Sequence, residues 1–276
     1  MSVIKKAKMS IARKSANFLA FAFTFTWVIE YMLWRNGTTG LSDARAYSGF
    51  MLATLAPGLA AVSCALLFEK GQRLKVLGLR FRPNIWWLVA LLAPLLFGLI
   101  FVATRMVLSG GNLLIVEQWR APLAALLDNP VSSQISNIAL AILVMTFVHL
   151  VTEELGWRGY LYHLWRHFGF WRCAIAIGLL HGFWHWPMIW FFGLDGGDRI
   201  HGLIEHPLMS ALLSVYFTLI RDRSRSVFAA AIFHASWNSV SNFGSGKITV
   251  IAMLVLGLPL IAWMQKQQKC LTEGAF

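Results

Sequence analysis

The chain has 276 residues, of which 58% are hydrophobic and only 13% are charged, whereas a soluble domain carries about 25% charged residues. This composition excludes a soluble globular domain and predicts an integral membrane protein. Three Cys are too few for a disulfide framework. The net charge of +12 would suit nucleic acid, but the basic residues lie at the ends of apolar runs. We therefore expect the lipid bilayer as the partner, and no nucleic acid.

Eight apolar runs are candidates for helices that cross the bilayer, because about 20 helical residues span its hydrocarbon core. In chain order they cover about 16–34, 46–68, 85–107, 132–152, 173–193, 206–220, 226–243 and 248–264. The first run follows basic residues, as a signal peptide does, but it contains Glu30 and lacks a small-residue cleavage site. We expect it to be retained. The predicted fold is an all-α, multi-pass transmembrane helix bundle, forming a single membrane domain over 1–276.

The positions of Lys and Arg predict the orientation, because cytoplasmic loops carry the excess of these residues. With the N-terminus in the cytoplasm, most of the 24 basic residues fall on the cytoplasmic side. They precede the first span, follow the last, and occupy the loops after the second, fourth and sixth spans. We predict that both termini are cytoplasmic and that the protein lies in the plasma membrane.

Ionisable residues inside the predicted spans are concentrated in the second half of the chain. A charged group at the bilayer centre costs about 2.5–3.5 kcal/mol on insertion scales, so such residues are functional candidates. They are His149, Glu153, Glu154 and Arg158 at the end of span four, His181 and His185 in span five, and His234 and Asn238 in span seven. Each set contains pairs four residues apart, which share one face of a helix.

The predicted topology sets a condition on whether these residues can meet. Glu153 lies near the cytoplasmic end of span four, whereas His185 and His234 lie roughly 12–18 Å deep. The acids and the imidazoles meet only if span four continues or tilts inward, or if a cavity opens from the cytoplasm. Each pair alone has a structural explanation, as an interfacial ion pair or as packing. Together, two acids, several imidazoles and an amide exceed what packing requires.

Three motifs in this region carry a family resemblance. Thr152 to Gly159 reads TEELGWRG and matches E-E-x-x-x-R, His185-Trp186-Pro187 is similar to a histidine shortly before a proline, and Phe233 to Asn238 matches H-x-x-x-N. Their order and spacing resemble the CPBP family, the CAAX-protease and bacteriocin-processing intramembrane endopeptidases also called the Abi family. The resemblance covers about 130–245. One position departs from it, since His181 stands where the family usually has Phe.

The resemblance implies an intramembrane endopeptidase that hydrolyses a membrane-associated or prenylated peptide or protein. Carried over residue by residue, it implies that Glu153 is the catalytic base and that His185 polarises the water. It further implies that His234 and Asn238 stabilise the oxyanion. The remaining residues would have supporting or orienting roles: Glu154, Arg158 and His181. His181 would be a partner of the active histidine or a spare ligand, although either histidine could be the active one.

Chemistry leaves two alternatives to this interpretation. A carboxylate base and imidazole or amide donors suffice for peptide hydrolysis, and no G-x-S-x-G or motif cysteine offers a nucleophile. We prefer no cofactor, but zinc is possible with Glu153, His185 and His234 as ligands and one open position for water. The sequence contains no H-E-x-x-H zinc motif. The other alternative is a non-catalytic membrane scaffold or immunity protein.

Overall fold

A computed structural model of the chain describes residues 9–38, 44–108, 131–193, 198–241 and 255–267. These residues form helices and connecting turns without any β-strand, which confirms the predicted all-α class. The helices are α1 (Ile11–Arg35), α2 (Ala44–Thr54), α3 (Ala56–Phe68), α4 (Arg73–Val76), α5 (Ile85–Leu108), α6 (Val131–His149), a π-helical segment (Leu150–Leu161), α7 (Tyr162–Trp165), a 3-10 turn (Arg166–Phe168), α8 (Phe170–Trp184), α9 (Trp186–Phe192), α10 (Arg199–Ser224), α11 (Val227–Ser241) and α12 (255–267).

Five helical stretches of the described chain are long and apolar enough to cross a bilayer, which confirms a multi-pass protein. They are Ile11–Arg35, Tyr47–Phe68, Ala139–Phe168, Phe170–Phe192 and Arg199–Ser224. They coincide with predicted spans one, two, four, five and six. Predicted span three contains the shorter apolar helix Ile85–Ile100, and α11 coincides with span seven. The start of span eight, at 248–254, lies outside the described residues. The number of eight spans and the cytoplasmic termini stay predictions.

Two of these stretches are broken by proline. Predicted span two is divided between α2 and α3, where Pro57 lies in the first turn of α3. Predicted span five is divided between α8 and α9 at His185, and Pro187 lies in the first turn of α9. Proline has no N–H to donate and is tolerated in the first turn, where the amides have no helical acceptor. His185 therefore lies at a helix junction and not on a continuous face with His181.

Predicted span four continues well past its expected end at 152. Helix α6 runs directly into the π-helical segment, where the N–H of Tyr162 reaches the carbonyl of Trp157, five residues back. Such i→i+5 bonding is rare and frequently occurs at functional sites. The segment contains the complete E-E-x-x-x-R motif, and eleven of its twelve residues are buried. This continuation is one of the routes by which the acids could reach the imidazoles.

The described chain divides into two compact units. The first comprises the described residues within 1–82 and 147–231, and the second those within 83–146 and 232–276. In the first unit, α1 and α3 pack on each other, α3 packs on the π-helical segment, and α8 packs on α10. Its core contains the large buried rings of Phe18, Trp157, Tyr160 and Trp184. The single membrane domain over 1–276 stays a prediction.

Glycines let the helices of the first unit approach backbone to backbone. A Cβ atom on Gly58 of α3 would overlap the carbonyl oxygen of Val151, and one on Gly156 would lie 2.7 Å from Pro57 Cβ. Gly182 of α8 lies against the backbone of Pro207 in α10, where a Cβ atom would also collide. Small residues serve this purpose in membrane helices, where close packing replaces hydrophobic burial as the source of association. The two motif-bearing helices are thus held by contacts that admit only glycine.

Replacing Gly58 with alanine is expected to destabilise the first unit, because the new methyl group meets a backbone carbonyl that cannot rotate away. Overpacking of this kind costs about 1–3 kcal/mol or more. Thermal unfolding of the detergent-purified protein measures it. The matched control is Leu59→Ala on the same helix, whose side chain is 42% exposed. A Gly58→Ala protein as stable as the Leu59→Ala protein would contradict the close approach of α3 and the π-helical segment.

Candidate active site

Glu153 and His181 form the centre of a buried polar cluster in the first unit. Glu153 lies in the π-helical segment and His181 lies near the end of α8, and both side chains are buried. His181 Nε2 is 2.8 Å from Glu153 Oε2. The other carboxylate oxygen, Oε1, is 3.9 Å from His149 Nδ1. The structure therefore brings an acid of predicted span four against an imidazole of predicted span five.

The partners of His181 assign its tautomer. Its Nδ1 is 3.2 Å from Arg158 Nη1, and a guanidinium group can only donate hydrogen bonds. Nδ1 therefore accepts from Arg158, which leaves the ring proton on Nε2, where it is donated to Glu153. His181 is a neutral imidazole held between a cation and a carboxylate.

Arg158 links this pair to the second acid of the motif. Its Nη1 is 3.3 Å from Glu154 Oε1, and the two side chains are 1% and 0% exposed. The guanidinium lies 4.1 Å from the ring centroid of Phe217. A buried charge requires a partner, and Glu154 supplies it for Arg158. The pair is enclosed in protein and not at an interface, and it orients His181.

Tryptophan rings enclose the imidazole of His181. Trp157 stacks on it with the centroids 5.1 Å apart and the planes 24° apart. Trp184 lies 5.8 Å away and donates from its indole nitrogen to Thr26 Oγ1 at 2.8 Å. Trp27 of α1 donates in turn to the Trp184 carbonyl at 3.1 Å. Helix α1 therefore fixes the end of α8. The sequence analysis did not single out Trp157, although it occupies a variable position of the first motif.

His185 lies at the junction of α8 and α9, one turn beyond His181. The two imidazole centroids are 5.2 Å apart, and His206 of α10 is 5.0 Å from His185. One ligand-type atom from each of Glu153, His181 and His185 lies within 4.8 Å of the others. His206 was not singled out from the sequence because it lies near a predicted span end. Its neighbour Pro207 packs on Gly182 of α8.

His234 and Asn238 lie on α11, in the second unit. They are four residues apart on one helix, so they share a face, and the His234 side chain is buried. Their predicted role at the oxyanion stays a prediction. The first unit thus contains the first two motifs, and the second unit contains the third.

The donor set limits how this cluster could hold a metal. A histidine ligand must offer a bare ring nitrogen, and Nε2 of His181 carries the proton that it donates to Glu153. If that proton moved to Nδ1, the N–H groups of His181 and Arg158 would face each other with no acceptor between them. His181 therefore does not suit a metal through Nε2. The zinc alternative, with Glu153, His185 and His234 as ligands, stays a prediction.

Comparison with known proteins gives two findings. A family model described as "Rce1-like: Type II CAAX prenyl endopeptidase Rce1-like" matches residues 135–240, which contain all three motifs. The curated protein "CAAX prenyl protease 2" of Methanococcus maripaludis is 27% identical over 183 residues. The alignment covers 60% of this chain and 61% of that protein, so the chain spans about three fifths of the length of this relative.

Proposed function

We propose that the chain is an intramembrane endopeptidase of the CPBP family, in which Glu153 activates the attacking water. The observation that carries the proposal is the 2.8 Å contact between Glu153 Oε2 and His181 Nε2. It joins an acid and an imidazole on two helical stretches that are long enough to span a membrane. A general base within a buried polar cluster is the arrangement that peptide hydrolysis by water requires.

In the proposed reaction, Glu153 removes a proton from water as the oxygen attacks the carbonyl carbon of the peptide bond. The tetrahedral intermediate then breaks its C–N bond, and the proton passes from Glu153 to the leaving amine. His181 holds Oε2 with its Nε2–H, and Oε1, which lies 3.9 Å from His149 Nδ1, is the oxygen that we propose takes the proton. His181 is thus a positioning residue, and Arg158 holds it in the tautomer that can donate.

The other motif residues complete the proposed machinery. His185 lies close enough to Glu153 to polarise the same water, because their ligand-type atoms fall within the same 4.8 Å group. His234 and Asn238 would donate to the developing oxyanion from one face of α11. Removing one donor of this type costs about 10²–10³ in kcat.

We propose a prenylated or membrane-associated C-terminal peptide as the substrate and the plasma membrane as the location. The curated relative is named a CAAX prenyl protease, which supports this substrate class. The test presents the detergent-purified chain with a farnesylated C-a-a-X peptide and with the same peptide lacking the farnesyl group. Mass spectrometry should detect release of the three C-terminal residues from the farnesylated peptide. Cleavage of neither peptide would contradict the proposal.

The same assay decides the zinc alternative. We expect the rate to survive complete chelation, because Glu153 and its imidazole neighbours can activate water without a metal. Chelated protein is compared with chelated protein to which zinc has been returned. Activity that is lost on chelation and restored by zinc would refute metal-independent catalysis and support the zinc alternative.

Replacing His181 tests its positioning role. We expect His181→Phe to lower kcat by about 10²-fold with little change in KM, because Glu153 loses the donor that orients it while substrate contacts remain. His181→Gln should recover part of the loss, since its amide can donate to the carboxylate. A merely structural histidine would not be rescued by glutamine, and full activity in His181→Phe would assign the active imidazole to His185 alone.

A further inference from the structure

A cavity of about 640 Å³ opens in the first unit, separate from the polar cluster. It lies between the segment after α4, the start of α7 and the end of α10. Five basic residues and one acid contribute to its lining: Lys75, Arg80, Arg166, Arg221, Arg225 and Asp222. The lining residues lie at helix ends and turns that the distribution of basic residues predicts to face the cytoplasm.

The described residues do not neutralise this concentration of positive charge. Across the described parts of the chain, none of the five basic side chains forms an ion pair within 4 Å. The one acid, Asp222, already accepts a hydrogen bond from the Tyr162 hydroxyl at 2.9 Å. Five cations facing one carboxylate make the cavity strongly attractive to an anion.

Arg221 is the buried member of the set and is held in place. It is 8% exposed, its Nε donates to the Arg158 carbonyl at 2.9 Å, and its guanidinium lies 5.0 Å from the Tyr162 ring centroid. Gly78, with φ +69°, lies directly against the guanidinium, where a Cβ atom would collide. Only Nε has an acceptor among the described hydrogen bonds, so the two terminal nitrogens are available to a ligand.

We propose that this cavity binds the phosphate of an anionic phospholipid headgroup at the cytoplasmic membrane surface. The planar, fixed fork of an arginine matches phosphate oxygens in pairs. Basic pockets between membrane helices on the cytoplasmic side recognise such headgroups. Free phosphate shares this chemistry, and the test separates the two sources. The ligand would contact Arg221, whose Nε donates to the backbone carbonyl of Arg158, the arginine that orients His181.

The test measures binding to the full-length chain in an uncharged detergent, so it does not depend on catalytic activity. The probes are dihexanoyl phosphatidylglycerol, dihexanoyl phosphatidylcholine and inorganic phosphate. We expect phosphatidylglycerol to bind at least about tenfold more tightly than phosphatidylcholine, and each exposed cation to contribute about fivefold. Arg80→Gln and Arg225→Gln remove exposed cations that need not affect folding. Arg172→Gln is the matched control, because Arg172 is exposed on α8 and does not line the cavity.

Each outcome decides the proposal. Phosphatidylglycerol binding that weakens in Arg80→Gln and Arg225→Gln but not in Arg172→Gln supports a lipid site. The same variant pattern with inorganic phosphate alone supports the anion site but assigns it to a soluble phosphate, and so overturns the lipid assignment. Absence of binding, equal binding of phosphatidylcholine, or equal weakening by Arg172→Gln overturns the site itself.

Discussion

Glu153→Gln should lower kcat for cleavage of the farnesylated peptide by about 10²–10⁴-fold, because an amide cannot take a proton from water. Glutamine has the size of glutamate, and its side-chain oxygen can still accept the hydrogen bond from His181 Nε2. The cluster should therefore keep its packing, and thermal unfolding should be close to that of the wild type. Single-turnover cleavage measured by mass spectrometry isolates the chemical step from product release.

Glu205→Gln provides the matched control for this experiment. Glu205 lies on α10, with its Oε2 3.0 Å from His201 Nε2, and it belongs to none of the three motifs. We expect this variant to cleave at the wild-type rate. Unchanged cleavage by Glu153→Gln would exclude Glu153 as the base. A cellular phenotype that survives Glu153→Gln would support the non-catalytic scaffold or immunity protein.

The second large effect is expected from Arg158→Met, which should destabilise the protein by about 3–5 kcal/mol. Methionine has a similar length but removes the cation that pairs with Glu154 inside the protein. It also removes the donor that fixes the tautomer of His181, so activity should fall even in the protein that remains folded. Thermal unfolding and cleavage are measured on the same preparation.

A double replacement separates the charge effect from packing. Adding Glu154→Gln to Arg158→Met removes the uncompensated carboxylate and should restore part of the stability, because a buried neutral pair is less costly than a single buried charge. Arg172→Met is the control for loss of an exposed arginine, and we expect little change. Arg158→Met unfolding at the wild-type temperature would contradict a structural role for the Glu154–Arg158 pair.

Apolar runs predicted the class of fold and the approximate location of most long helices, but they misplaced the end of span four. The run ends at 152 because Glu153, Glu154 and Arg158 follow, and charged residues normally mark the membrane surface. Here these side chains are buried in protein and pair with one another and with His181. Hydropathy does not distinguish a charged side chain in water from one that is paired inside a helix bundle. The apolar run therefore did not predict the continuation into the π-helical segment.

The helix junction at His185 shows what the sequence contained and what it did not. Pro187 signals a new helix start, yet the surrounding apolar residues favoured one continuous span. The spacing did not predict which of His181 and His185 contacts Glu153, since residues four apart share a helix face. The contact that distinguishes them comes from Arg158, which is distant in sequence and reaches His181 Nδ1 through tertiary packing.

The most direct test of the central claim, that Glu153 and His181 act as one unit, is a double-mutant cycle on kcat. It compares Glu153→Gln, His181→Phe and the double replacement in single-turnover cleavage of the farnesylated peptide. Residues that act through each other give strongly non-additive effects. We predict that the double variant is no slower than Glu153→Gln alone. Rate losses that multiply would show that the two residues act independently and would contradict the account.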